Sequence, residues 1–249
     1  MRIFTHQDQY GSLVFRIQKI KSIKQIRAAC RHNRRQIAKE MQPGSHIASS
    51  KSHLNYSLTP EASTATVIGR VEELTEDYEI NTRKKLQSNA VRMIEVVFSL
   101  PPEWFNKDAK QYFVDCLNWS EKEFDLAEIL LADVHMDEAC PHMHVLICCI
   151  RHDQLTASKM CGNRKSYRLR SERFFDEVAK HYGLELPPPK LRKFERIKMS
   201  KIILDHIEQG NDPTTRSVLY PAIKTLIQNN PIPFALNLGL SLRPRGDEF

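Results

Sequence analysis

Polar and apolar residues alternate along Val14-Phe15-Arg16-Ile17-Gln18-Lys19-Ile20, which predicts a strand opening at Leu13 after a loose lead-in over residues 1–12. The period then lengthens: Ile23, Ile26, Ala29 and Cys30 recur at three-to-four spacing and predict a helix over 22–40. Residues 41–60, rich in Ser, Pro and His, read as a loop, and a charged helix is expected over 64–88. Val91 to Phe98 predicts a strand stopped by Pro101-Pro102, and a helix over 107–119 gathers Phe113, Val114 and Leu117 on one side. Two apolar strands, 127–135 and 142–150, are separated by only six residues, so an antiparallel hairpin is the natural connection. A basic helix over 166–182 ends at Gly183, and Pro187-Pro188-Pro189 marks a boundary. Helices over 191–209 and 214–228 follow, with no assignment after Pro231. No repeat and no heptad array is present.

The 249 residues, 41% hydrophobic and 27% charged, fit one large globular domain or a domain with an appendage. No run approaches the ~18 apolar residues of a membrane span, and the first twenty carry no signal-type apolar stretch. Six cysteines without CxxC spacing, Cys148 and Cys149 among them, fit a reduced cytoplasmic compartment. The net charge of +7 is unevenly spread: residues 1–40 hold ten Lys/Arg against two acids, and 151–205 hold fourteen against seven. Residues 61–140 carry seventeen acids and eight bases. Basic flanks around an acidic middle fit a polyanion partner, or simply solvated helix faces.

The densest chemistry is the run from His135 to His144, with Asp137, Glu138, Cys140, Pro141 and His142 between. His142 and His144, two apart on a strand, project from one face, and His135 at the end of the paired strand can complete a three-imidazole site. Such a set suits a divalent ion such as Mn, Zn, Co or Ni, and the spacing does not choose. The helical HExxH pattern is absent, and Pro141 would break such a helix. Cys140 is a weaker candidate for a fourth ligand, and Asp137 suits an Asx turn.

This run resembles the HxDExxPHxH signature of the Mob/Pre (MobV) plasmid mobilisation relaxases. Arg16 to Lys21 with His32-Asn33-Arg34-Arg35 resembles that family's first motif, and Ser50-Lys51-Ser52-His53-Leu54-Asn55-Tyr56 its second. A weaker match runs through Leu155 to Lys159 and the basic helix beyond. The resemblance implies an α+β fold of the HUH type, a central antiparallel sheet with flanking helices, over 13–188. Residues 1–12 are then an extension and 189–249 a small helical C-terminal region. It further implies a divalent ion, manganese first with magnesium or zinc as alternatives, on His135, His142 and His144. His32 corresponds to the nucleophile, Arg35 to an arginine at the scissile phosphate, and Glu138 to a carboxylate orienting or deprotonating His32. Asn33, Arg34, Lys51, Asn55, Tyr56 and Lys159 are implied DNA contacts.

The implied activity is nicking of one strand at a plasmid origin of transfer, single-stranded or hairpin, with a phosphohistidine link to the 5′ end. A second copy of the chain and a coupling protein of the transfer machinery are further partners the resemblance leaves open. Two alternatives stand beside it: an origin-binding recombination or replication-control protein with little nicking, and an unrelated three-histidine metallohydrolase. Trp104 and Trp119 read as core, and His6, His46, His152, His181 and His206 as surface.

Overall fold

The computed structural model describes residues 14–42, 44–124, 128–186 and 191–240. The lead-in over 1–12 and the Pro187-Pro188-Pro189 boundary lie outside them. The chain forms two compact units, dividing after Leu186.

The first unit is built on five strands: β1 (Val14–Ile20), β2 (Tyr56–Ser57), β3 (Met93–Ser99), β4 (Glu128–His135) and β5 (His142–Cys148). They lie in the order β1-β3-β5-β4-β2, each neighbour antiparallel. The central strands β3 and β5 are buried along their whole length, which is why they read as continuous apolar runs. A short hairpin, β6 (Ile150–Arg151) and β7 (Gln154–Leu155), follows.

Register sorts the strand residues onto two faces. Phe15, Phe98, Val134, Met143 and Val145 face a core covered by α3 (Lys110–Glu123), α4 (Ala157–Cys161) and α5 (Arg164–Glu177). There the rings of Phe15, Phe98, Trp119 and Phe174 interlock with centroids 4.9–6.1 Å apart. The other face is split lengthwise. One half is apolar: Ile20, Met93, Leu131, Leu146 and Cys148 pack under α1 (Ile23–Asn33) and α2 (Thr64–Thr82) through Ile26, Cys30, Val67, Ile68 and Val71. The other half of the same face is polar, with Ser99, His142, His144, Asp133 and His135 in adjacent register.

Helix α1 starts at a capping box, Ser22 Oγ accepting from Gln25 N and Gln25 Oε1 from Ser22 N, each at 3.3 Å. It stops at Asn33, seven residues before the expected end, because Arg35 adopts a left-handed φ of 55°. That conformation costs a non-glycine residue about 1 kcal/mol or more, and the ion pairs described below hold it. Helix α2 ends at Thr82, where Arg83 is also left-handed. The expected loop over 41–60 contains a 3₁₀ turn, Ser49–Leu54, and the edge strand β2.

The second unit packs α6 (Lys193–Gln209), α7 (Tyr220–Asn229) and α8 (Ile232–Asn237) around Ile203, Leu204, Ile227 and Ala235. No helix among the described residues is long and apolar enough to cross a membrane.

Candidate metal centre

Four imidazoles converge on the polar half of the sheet. His135 ends β4, His142 and His144 begin β5 directly opposite, and His32 arrives on the last turn of α1. Ring centroids of His135, His142 and His144 lie 4.8–5.0 Å apart, and His32 is 5.6 Å from His144 and 5.9 Å from His135.

The outer partners of the rings fix which nitrogens point inward. Nε2 of His135 stands 2.8 Å from the Asn33 carbonyl and Nδ1 of His142 stands 2.9 Å from the Cys140 carbonyl. A carbonyl only accepts, so each of these nitrogens carries the proton. The remaining nitrogens, Nδ1 of His135 and Nε2 of His142, then face each other bare at 3.2 Å. Two lone pairs at that distance repel unless a cation lies between them. His144 repeats the pattern: Nδ1 donates to Glu95 Oε1 at 2.9 Å, leaving Nε2 buried and without a hydrogen-bond partner. Each of the three imidazoles is thus oriented from behind by an acceptor and keeps its other nitrogen clear of one, as metal ligands need, although the donor atoms of all three do not fall within 4.8 Å of one another. Glu138 Oε1 lies 3.8 Å from both His135 Nδ1 and His142 Nε2. Among the described residues two sets have donor atoms within 4.8 Å of one another, His135 with Glu138 and His142, and His32 with His135 and His144.

Burial lowers the His135 imidazole well below the ordinary histidine range, and His144 and His142 add to the effect. Burial and then His144 bring His142 down to about 4. Both rings bind protons more weakly folded than unfolded, so the unfolded chain takes up the excess proton below the unfolded value of about 6.5. Stability of the metal-free protein should fall between pH 6.5 and about 4 by on the order of 1 kcal/mol per pH unit for each ring. Urea midpoints measured across that window test this, and a flat profile would contradict it.

Behind the histidines lies a buried clamp. Asp137 is fully buried and accepts from Arg35 Nε at 2.9 Å, from Arg35 Nη2, from Ser52 Oγ at 2.6 Å and from Asn55 Nδ2 at 2.8 Å. Arg35 Nη2 also reaches Glu138 Oε1 at 2.9 Å. Asn55 Oδ1 accepts from Met136 N at 2.7 Å, and Ala48 N donates to the Asp137 carbonyl at 2.7 Å.

Several implied roles change in this light. Arg35 is committed to two carboxylates, because a buried acid pair needs a cation, and its guanidinium is not open to a phosphate. Asn55 closes the clamp. Tyr56, opposite Val134, packs against the core on the far face, and Lys159 sits exposed on α4 over that same core. Lys51 is exposed beside the Phe105 ring. Asn33 and Arg34 stay with the histidines: the Asn33 amide is buried with both polar atoms unpartnered, and Arg34 Nε is 3.8 Å from Asp133. Glu138 does not meet Nδ1 of His32; Glu40 Oε2 does, at 2.8 Å. Glu95 and Glu40 were not singled out from sequence. Glu95 had a signal, a lone acid inside an apolar strand; Glu40, at the end of the expected helix and in a 3₁₀ turn of the structure, had none. His46, read as surface, lies alongside the His32 ring with centroids 6.4 Å apart.

Fold and site together define an α+β domain whose antiparallel sheet carries a histidine centre fed by a helix end. Residues 11–188 match the Mob_Pre model, described as plasmid recombination enzyme, and the chain belongs to that family. It is 31% identical over 145 residues to the plasmid recombination enzyme type 3 of Staphylococcus aureus, covering 56% of this chain and 35% of the relative. To a type 1 enzyme of the same species it is 26% identical over 178 residues, covering 70% and 43%. The chain therefore spans less than half the length of these curated relatives. The manganese-bound MobM relaxase domain with plasmid origin-of-transfer DNA superposes with a TM-score of 0.61 at 24% identity, over 72% of this chain and 91% of that one. The same domain in a manganese-bound crystal at pH 4.6 gives 0.59. These neighbours share the fold.

Proposed function

We propose that this chain is a metal-dependent relaxase that nicks one strand of plasmid origin DNA and holds the 5′ end on His32. The observation that carries the reading is three imidazoles, each oriented from behind by an acceptor with its other nitrogen left clear, beside a fourth, helix-borne histidine. Its neighbours in fold, MobM domains bound to manganese and origin DNA, support the choice of ion and substrate.

His135, His142 and His144, with Glu138 against the first two, would hold the ion. A divalent ion there supplies Lewis-acid polarisation of the non-bridging phosphate oxygens. The chain's own part is nucleophile and scaffold. Nε2 of His32 attacks phosphorus, a P–N bond forms, and the P–O3′ bond breaks with its electron pair on the leaving 3′ oxygen, which takes a proton from water. The phosphoramidate retains the reactivity needed for rejoining, so reversal regenerates the diester and the free imidazole. Arg34, whose side chain is 19% exposed beside His32, suits contact with the DNA backbone, whereas the Asn33 amide is buried. Residues 13–188 would form this relaxase unit and 189–249 an accessory helical unit.

Incubation with a supercoiled plasmid carrying the DNA that flanks the protein's own coding sequence tests the reading. Open circles are expected with Mn²⁺ and not with chelator. Specific binding without relaxation in any metal would instead favour the recombination or replication-control alternative.

A further inference from the structure

Three glutamates surround the histidines, and two have partners away from His32. Glu95 holds His144 at 2.9 Å, and Glu138 is held by Arg35 at 2.9 Å. The third, Glu40, reaches Nδ1 of His32 at 2.8 Å from a 3₁₀ turn, Ala38–Met41. That turn is braced: Glu40 N donates to the Ile37 carbonyl at 2.9 Å, and Ser45 Oγ donates to the Glu40 carbonyl at 2.5 Å. The His32 and Glu40 side chains are 22% and 21% exposed, open enough for substrate to arrive and closed enough to hold one geometry.

We infer that Glu40 is the positioning residue of the nucleophile, accepting the Nδ1 proton of His32 so that Nε2 is bare. The inference rests on the reading of His32 as nucleophile. An ionised carboxylate cannot donate, so the proton of a neutral His32 lies on Nδ1, and the lone pair of the other nitrogen is the one free to attack. When the P–N bond forms at Nε2, the ring becomes a phosphorylated imidazolium still carrying the Nδ1 proton, now cationic beside Glu40. The interaction is stronger there than in the free enzyme, which is the condition for it to accelerate the step. No proton need leave the ring, and the 3′ oxygen is protonated from solvent. Glu40 thus does for His32 what Glu95 does for His144, with a nucleophile in place of a ligand.

The test uses the full chain loaded with Mg²⁺, which leaves nitrogen-15 spectra readable, and assigns His32 by its absence from His32→Ala. Wild type should show the Nδ1–H tautomer. Glu40→Leu should move His32 toward the Nε2–H tautomer and slow adduct formation roughly 10- to 100-fold, with oligonucleotide affinity unchanged. Glu40→Gln keeps an acceptor oxygen and should retain the tautomer while losing part of the rate. A purely structural role would alter thermal stability and leave the tautomer in place. An unchanged tautomer or an unchanged rate in Glu40→Leu would overturn the inference. Wild type that has the Nδ1–H tautomer but forms no adduct would refute the nicking reading and uphold the pairing.

Discussion

Asp137→Ala is expected to lower the unfolding free energy reported by Trp104 and Trp119 by about 3–5 kcal/mol, the cost of stranding a buried charge. The loss goes beyond one ion pair because Asp137 joins three segments. It receives the Arg35 guanidinium from the turn after α1, Ser52 and Asn55 from the 3₁₀ segment, and through its carbonyl the amide of Ala48. Without it Arg35, whose side chain is 8% exposed, keeps Glu138 and a 3.4 Å hydrogen bond to the His32 carbonyl, and the left-handed turn it stabilises loses its main brace. Burial pushes the Asp137 carboxyl up, but Arg35, Ser52 and Asn55 outweigh it and hold the group below its ordinary value. Its contribution is therefore present above the unfolded value of about 3.9 and is lost only as pH falls through the lower folded one. The histidines, by contrast, give way at milder acidity. Arg35→Ala should cost a similar amount, and the double variant markedly less than the sum, since both remove one clamp. Urea unfolding followed by tryptophan fluorescence reads all three. Losses under about 1 kcal/mol, the scale of surface ion pairs, would show that the clamp is not structural.

The second large effect separates ligand from nucleophile. His142→Ala and His144→Ala should each weaken Mn²⁺ binding at least about 100-fold, beyond the 10- to 100-fold lost when only a ligand's supporting partner is removed. His32→Ala should leave the affinity within a few-fold and abolish the covalent adduct. The distinction matters because His32, His135 and His144 also form a geometrically possible ligand set. What separates them is burial and partner: His144 Nε2 is sealed and unsatisfied, whereas the His32 side chain remains 22% exposed at the helix end. Electron paramagnetic resonance titration of Mn²⁺ measures the affinities directly. A His32→Ala variant that binds the ion as poorly as His144→Ala would place His32 among the ligands.

Much of this site is legible in the sequence. The i, i+2 spacing of His142 and His144, with a six-residue connection back to His135, dictated a hairpin with all three rings on one face, and that is the register formed. What resisted sequence reading was set by tertiary contacts. Helical periodicity continues past Asn33, yet the buried Asp137–Arg35 pair outweighs propensity and turns the chain. Asn55 and Tyr56 are adjacent in one motif but face opposite ways, one into the clamp and one into the far core, because β2 is paired there. Charge was partly misleading too. Arg170 and Arg173 in the basic helix are drawn to Glu123 at 2.7 and 2.6 Å, so part of that basic flank is consumed internally. The three-glutamate arrangement depends on a loop whose path only folding reveals.

The direct test of His32 as nucleophile is to trap the protein on a cleaved origin oligonucleotide, digest it and locate the adduct by mass spectrometry. The expected result is a phosphoryl-DNA modification, acid-labile as a P–N bond should be, on the peptide carrying His32, formed with Mn²⁺ and absent after chelation. An acid-stable adduct on a tyrosine or serine, or an undiminished adduct in His32→Ala, would contradict it.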